Sequence, residues 1–156
     1  MSIKLDREDI RILTILQEDA ERPMAEVAES AGLSLSSCWR RVRSLKEAGV
    51  IRKTVAILDP ERAGLGFEVI ASVTLTDHGL KSRLKFEDFA RARPEIVECR
   101  LLSGEKDYQM RVVTPDLGSY EHFMTGVLLE QPEVRSVVTS IVLRRVKTTT
   151  ALPLSA

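Results

Sequence analysis

The chain has 156 residues, no formal net charge at neutral pH and 44% hydrophobic residues, which is the composition of a globular protein with one compact domain or two small ones. No apolar run approaches the roughly 18 residues of a membrane-spanning helix, and the N-terminus mixes charged with apolar residues, so we predict neither a membrane segment nor a signal peptide. Cys38 and Cys99 are too few for a disulfide framework and lack metal-ligand spacing. We therefore expect a cytoplasmic protein without metal or cofactor.

Charge is unevenly distributed along the chain. Residues 1–30 carry eight acidic and four basic side chains, whereas residues 36–53 carry six basic side chains and one acidic. A local positive stripe can attract a polyanion even on a neutral protein, because screening limits electrostatic interactions to about 10 Å. Residues 36–53 are therefore the candidate nucleic-acid-binding stretch.

The first half of the chain predicts three short helices. Asp6 is suited to cap the first helix, and a second helix follows Pro23. Gly32 predicts a tight turn with positive φ, after which Ser34 caps a third helix over residues 35–47. This order is typical of a helix-turn-helix.

The third helix is predicted to end at Gly49, which can take the left-handed conformation there. The β-branched run at 50–59 then predicts a strand that would form half of a hairpin wing. We expect residues 1–60 to be a winged helix-turn-helix domain, residues 61–66 to be a linker, and residues 67–156 to form a second domain.

The second half alternates strand-like and helix-like patterns in the order β-α-β-β-α-β, which predicts a ferredoxin-like domain and an α+β protein overall. Two helices would cover one face of an antiparallel sheet. We expect alternate apolar residues on the other face and interpret that face as a dimer interface. The predicted strands are 67–76, 96–103, 108–114 and 134–147, and the predicted helices are 82–93 and 117–130.

The third helix has two faces at 100° per residue. Leu35, Cys38, Val42 and Leu45 share one arc and should face the core. Serines at the helix N-terminus can bind phosphate or base edges, and the arginines one turn later can reach guanine or phosphate. A solvated basic face without a ligand is the alternative. The candidate DNA contacts are Ser34, Ser36, Ser37, Arg40, Arg41, Arg43, Lys46, Arg52 and Lys53.

Three other residue types bear on function. Trp39 lies beside the core arc, and we favour packing between helices over contact with a sugar or a thymine methyl group. Cys38 lies inside the arc and is expected to be a buried, unreactive thiol. His78 and His122 are the only histidines, and no phosphate loop or nucleophile elbow accompanies them. We therefore predict that the chain is not an enzyme.

Short motifs spread over essentially the whole chain carry a family resemblance. They are Leu5-Asp6 through Asp9 to Ile12-Leu13, Gly32-Leu33-Ser34, Cys38 with Arg41 and Val42, Gly49-Val50-Ile51, Leu58-Asp59-Pro60, Ser103 to Tyr108, Pro115-Asp116 with Tyr120, and Val146 to Leu154. Together they resemble the motifs of the Lrp/AsnC family, the feast/famine regulators.

The resemblance implies a winged helix-turn-helix joined to a ferredoxin-like effector domain, with dimers that assemble into octameric rings. It also implies an amino-acid effector bound between subunits, near the turn after the second strand of the effector domain. Backbone N–H groups of that turn would receive a carboxylate, and Asp107 would hold an ammonium group. Carried over by position, the effector-binding residues are Gly104, Glu105, Lys106, Asp107, Tyr108, Thr139, Ser140 and Ile141.

Two places depart from the family pattern. Lys106 stands where an acidic or aromatic residue is frequent, and it either favours a more acidic effector or simply points to solvent. Arg144 and Arg145 replace frequent acidic residues, which would alter ring contacts or add a DNA-wrapping surface. The sequence thus predicts a sequence-specific transcriptional regulator of double-stranded DNA that responds to an amino acid. The alternative is a nucleoid-type architectural protein that wraps DNA without an effector.

Overall fold

The computed structural model describes residues 4–155. It divides them into two compact units, one of residues 4–56 with 147–155 and one of residues 57–146. The predicted second domain included the C-terminal residues, whereas the structure places them in the first unit. The side chain of Gln17 accounts for this, because its Oε1 accepts from the N–H of Leu152 at 2.7 Å and its Nε2 donates to the carbonyl of Leu152 at 3.3 Å.

The first unit is built on three helices, α1 (Arg7–Glu18), α2 (Met24–Ala31) and α3 (Leu35–Glu47). Asp6 caps α1 and forms a capping box with Asp9, so the predicted N-cap is confirmed. The helices pack around one apolar cluster, to which each helix contributes one side. Its buried members are Ile12, Val27, Ala28, Ala31, Cys38 and Val42.

The turn between α2 and α3 depends on a left-handed glycine. Gly32 has a φ of +73°, and Gly49, just after α3, has a φ of +72°. Both values lie in the left-handed region, which costs residues other than glycine about 1–2 kcal/mol. Ser34 is extended, and its Oγ accepts from the N–H of Ser37 at 3.3 Å. The predicted roles of these three residues in the turn and caps are confirmed.

The chain after α3 differs from the prediction. Residues 52–59 form no strand and are exposed, so the predicted wing strand is wrong for the described chain. Ile57 and Leu58 are 74% and 72% exposed. A strand needs a neighbour for its N–H and C=O groups, and β-branched composition alone does not provide one.

The second unit confirms the predicted order of elements. It contains β1 (Phe67–Leu75), α4 (Leu80–Ala92), β2 (Ile96–Leu101), β3 (Tyr108–Thr114), α5 (Leu117–Phe123), a π-helical segment (Met124–Leu128) and β4 (Val134–Ile141). The sheet is antiparallel throughout in the order β2-β3-β1-β4, which is the ferredoxin-like arrangement. The last strand ends at Ile141 and not at residue 147.

The two faces of this sheet have different chemistry. Val69, Ala71 and Val73 of β1 belong to the apolar core together with residues of α4 and α5. Since successive side chains alternate across a strand, Glu68 and Ser72 lie on the opposite face, where Glu68 meets Arg111 of β3. The expectation of alternate apolar residues on that face is therefore wrong, because most of its side chains are polar.

Candidate nucleic-acid interface and effector turn

The basic surface of α3 is exposed. Cys38, Val42 and Leu45 are buried, whereas Arg40 and Arg43 on the other side are exposed. Ser36, Ser44 and Lys46 are exposed as well, and Ser37 is half-buried. The structure therefore presents hydroxyl groups and cations together along one side of a single helix.

Two predictions for the core side of α3 are wrong. Leu35 is 48% exposed and Trp39, expected to pack between helices, is 55% exposed. The apolar cluster of this unit closes over Cys38 and Val42 and leaves the two larger side chains outside.

The N-terminus of α3 has free N–H groups and a capping hydroxyl that suit an anion. Ser34 Oγ caps the N–H of Ser37 and lies 3.3 Å from Ser36 Oγ. The N–H groups of the first helical residues, Leu35 and Ser36, have no intrahelical partner, as in every α-helix. Together with the helix dipole they favour a phosphate oxygen at this end.

Arg41 faces α1 and not the exposed side. Its guanidinium binds Asp6 and Asp9 at 2.8 Å each and also Glu8. The pKa of Asp6 is lowered, first by the N–H of Asp9 and then by Arg41, and the same cluster raises the pKa of Arg41. The charge of Arg41 is neutralised inside the unit, so this geometry does not favour the predicted phosphate contact. The acidic excess of residues 1–30 was the signal for this cluster.

The remaining cations are available for a ligand. Arg43 pairs with Glu47 at 2.8 Å, but both side chains are strongly exposed and the pair is easily exchanged. Arg40, Lys46, Arg52 and Lys53 are exposed and have no salt bridge among residues 4–155. These four, with Arg43, are the positive surface of the first unit.

The predicted effector turn joins β2 to β3 and is fixed by Asp107. Its Oδ2 accepts from the N–H of Leu75 at 2.8 Å, and its Oδ1 lies 3.0 Å from Nδ1 of His78. The Asp107 side chain is 20% exposed. The carboxylate thus ties the turn to the end of β1, and His78, which the sequence analysis assigned to no site, is its second partner.

The other turn residues are more accessible. Lys106 Nζ lies 3.3 Å from Glu105 Oε1, and the Lys106 side chain is 31% exposed, so it is half-covered and not simply solvated. The space around Gly104 is open, because a Cβ atom added there would meet no other atom within 4 Å. A cation and open backbone therefore meet at this turn.

Tyr108 is a core residue and not a ligand contact. Only 1% of it is exposed, and its ring packs against Phe86 with centroids 4.7 Å apart. Its hydroxyl donates to Glu87 at 2.9 Å, and burial together with Glu87 raises the pKa of Tyr108 to about 12. The side chain of Tyr108 is thus a core group, and the assignment of Tyr108 to the effector site stays a prediction that only its main chain could meet.

One protomer does not bring the two predicted effector segments together. Thr139 lies opposite Ala71 on β1, whereas Asp107 binds the main chain of Leu75. Four residues of strand separate these positions, which is about 13 Å. Thr139 Oγ1 is also engaged with Tyr120 Oη at 2.6 Å. Ser140 and Ile141 are exposed.

Comparison with known proteins identifies the family. Residues 68–152 match the family described as the Lrp/AsnC ligand binding domain, and residues 5–52 match the winged helix-turn-helix DNA-binding family. The chain belongs to the Lrp/AsnC family. Its members are DNA-binding transcriptional regulators and not enzymes, which confirms that prediction.

Relatives match this Lrp/AsnC chain over nearly its full length. The glutamate uptake regulatory protein of Zymomonas mobilis is 34% identical over 97% of this chain and 92% of its own. The transcriptional regulator AzlB of Bacillus subtilis is 34% identical over 99% and 98%. A Neisseria meningitidis transcriptional regulator solved as its L-Met complex is 35% identical, with a TM-score of 0.92 over 96% of this chain and 97% of that one.

The sheet face opposite the apolar core of the Lrp/AsnC domain carries a buried carboxylate, that of Glu68. Glu68 is 8% exposed, accepts from Nε of Arg145 at 2.7 Å and lies 3.6 Å from Arg111. Arg145, considered for ring contacts or DNA wrapping, is thus paired inside its own unit. Arg144 is exposed.

The Lrp/AsnC domain also has a groove of about 810 Å³ at the end of β3 that lies away from the effector turn. Apolar side chains such as Phe123 and Val113 line it together with Arg93 and His122. Sequence reasoning missed it because its residues come from separate segments. Among residues 4–155 there is no cluster of His, Cys, Asp or Glu suited to a metal ion, and no helix there is long and apolar enough to span a membrane.

Proposed function

We propose that this chain is a sequence-specific regulator of transcription that binds double-stranded DNA through α3 and responds to an amino acid. The observation that carries the proposal is the exposed positive surface of α3 behind a capped helix N-terminus, within a winged helix-turn-helix unit. Such a helix fits the major groove. The cytoplasm, where the DNA lies, is the proposed location.

The proposed DNA contacts fall into two groups, those that can reach base edges and those that can reach only phosphates. Arg40 and Arg43 lie on the exposed side of α3 and can donate to guanine O6 and N7. Ser36 and the N-terminal N–H groups can hold a phosphate. Lys46, Arg52 and Lys53 are proposed phosphate contacts, each adding about 0.9 to the salt dependence of binding.

The effector site is proposed to form between protomers. The turn with Lys106 and Asp107 would come from one copy, and Thr139 to Ile141 from another, which agrees with their separation inside one chain. A dimer that assembles into an octamer or a similar ring would supply both. The L-Met complex of the Neisseria relative supports an amino acid. Lys106 favours an acidic side chain, and the name of the Zymomonas relative makes glutamate the first one to test.

The first experiment is a gel shift with DNA from upstream of the protein's own gene, at two salt concentrations, with and without pooled amino acids. Specific binding that the pool alters supports the proposal, and splitting the pool identifies the effector. Nonspecific binding with a steep salt slope and no amino-acid effect would favour the architectural alternative.

Asp107→Asn tests the effector turn. The asparagine oxygen can still accept from the N–H of Leu75, so the turn stays closed, but the charge for an ammonium group is lost. We expect the thermal shift caused by the effector to disappear while DNA affinity without effector is unchanged. If the amino acid binds in the 810 Å³ groove instead, Asp107→Asn keeps the response and Gly118→Trp, which fills the groove, removes it.

A further inference from the structure

The chain has a single tryptophan, and the structure leaves it outside the core. Trp39 is 55% exposed and Leu35, one turn before it, is 48% exposed. Residues four apart are adjacent on a helix, so Leu35 and Trp39 form one exposed apolar patch. Contiguous exposed apolar surface with a polar border marks an interaction site, and the indole ring is its largest part. Trp39 is therefore the feature of α3 that the cations do not explain.

The neighbours of Trp39 indicate what covers it. Residues three and four apart are adjacent on a helix surface, which places Trp39 beside Ser36 and Arg43, both exposed. The apolar ring of Trp39 is bordered by the cations Arg40, Arg43 and Lys46. Its partner should therefore be a polyanion that also exposes an apolar group. DNA meets both conditions, because the thymine methyl group lies in the major groove between two phosphate backbones.

We infer that Trp39 contacts a thymine in the major groove and contributes to sequence recognition, an inference that rests on the proposed function. Thymine presents a C5-methyl group and an O4 acceptor side by side. An indole offers a matching pair, an apolar ring and one N–H donor. Cytosine lacks the methyl group and offers a donor where thymine has O4. The contact thus discriminates a T·A pair at one position of the site.

The test removes the methyl group from the DNA. Each thymine of the bound site is replaced singly by uracil, and affinity is measured for the full-length wild type, Trp39→Ala and Arg40→Ala. For the wild type, one replacement should weaken binding about fourfold, which corresponds to one buried methyl group. Trp39→Ala should bind thymine and uracil DNA equally at that position, whereas Arg40→Ala should bind more weakly but keep the difference. No uracil effect in the wild type, or one that persists in Trp39→Ala, overturns the inference.

Fluorescence of the wild-type protein gives a second measurement that needs no variant. With excitation at the red edge of the absorption band, where the two tyrosines do not absorb, emission reports Trp39 alone. Acrylamide should quench it strongly in the free protein and weakly on the specific site. Unchanged quenching in a sample whose gel shift shows binding overturns the inference and leaves the proposed function standing. Protection in the free protein also overturns it, because a second copy then covers the ring. Failure to bind DNA at all overturns the proposed function, and the inference with it.

Discussion

Arg40 and Arg41 are adjacent in the sequence, but their surroundings predict opposite effects of substitution. Arg41 binds carboxylates of α1 and its N-cap, while Arg40 is exposed and has no salt bridge within the described part of the chain, residues 4–155. We predict that Arg41→Ala destabilises the first unit and leaves the salt dependence of DNA binding unchanged. Arg40→Ala should leave stability unchanged and weaken binding to the specific site more than to random DNA.

The size of the Arg41 effect follows from its exposure. The Arg41 side chain is 24% exposed and that of Asp9 is 15% exposed. A hydrogen bond to a charged group contributes about 1.5–3 kcal/mol when buried, and an exposed ion pair contributes about 0.2–1 kcal/mol. This partly covered cluster should lie between, so Arg41→Ala should cost about 1–2 kcal/mol. For a unit of this size, each kcal/mol lowers the melting temperature by roughly 4–8 °C.

The effect should also depend on pH. The pKa of Asp6 in the folded chain lies below its ordinary value of 3.8, because of the N–H of Asp9 first and Arg41 second. A depressed folded pKa contributes stability that is present above the unfolded pKa and lost as pH falls through the folded pKa. The stability difference between wild type and Arg41→Ala should be complete at neutral pH and shrink below pH 3.8.

Thermal melts of both variants at neutral and acidic pH, together with gel shifts over a salt series, distinguish a structural role of Arg41 from a phosphate contact. If Arg41→Ala melts like the wild type and lowers the salt slope by about one, Arg41 binds a phosphate and our interpretation of the cluster is incorrect.

Three further predictions concern local structure. Gly32→Ala should lower the free energy of unfolding by about 1–2 kcal/mol because of the positive φ of this residue. A clash is not the cause, since the nearest atom to the added Cβ would be 3.9 Å away. Gly104→Ala is the control and should leave the free energy of unfolding unchanged. Cys99 is exposed, but desolvation by its surroundings and then Glu87 raise the pKa of its thiol to about 11. Alkylation of Cys99 at pH 8 should therefore be slower in the folded protein than in the denatured chain; labelling at the same rate in both would contradict this. Tyr108→Phe should cost about 1 kcal/mol in a denaturant titration, since Glu87 loses its donor.

The features that the sequence predicted correctly depend on local chemistry. Asp6 as a cap, the left-handed Gly32 and the β-α-β-β-α-β order follow from residue preferences and short-range periodicity. The wing strand failed because a strand is completed by a distant partner, about which residues 50–59 carry no information. Local sequence patterns therefore predict individual helices and strands more reliably than they predict the contacts between those elements.

Two predicted site residues have structural contacts for which the sequence held usable signals. Tyr108 alternates with Met110 and Val112, so strand periodicity already placed it on the core face. Arg41 lies closer to the core arc of α3 than Arg40 does, and an excess of acids precedes it in the chain. The family resemblance outweighed the residue pattern for Tyr108. The structural role of Asp107, by contrast, depends on the main chain of Leu75, and nothing in the sequence indicates that contact.

Side-chain contacts within the first unit connect its C-terminal segment to α1 and α1 to α3. The chain leaves the first unit after Ala56 and returns to it at residue 147, shortly after β4. Gln17 of α1 holds the returning segment through both main-chain groups of Leu152, and acids at the start of α1 hold Arg41 of α3. The segment that follows β4 is therefore hydrogen-bonded to α1 through Gln17, and α1 has a direct ionic contact with α3 through Asp9. These contacts also hold α3 in place within the first unit, so the DNA-binding surface that we propose on α3 is ordered before binding, which lowers the cost of ordering it.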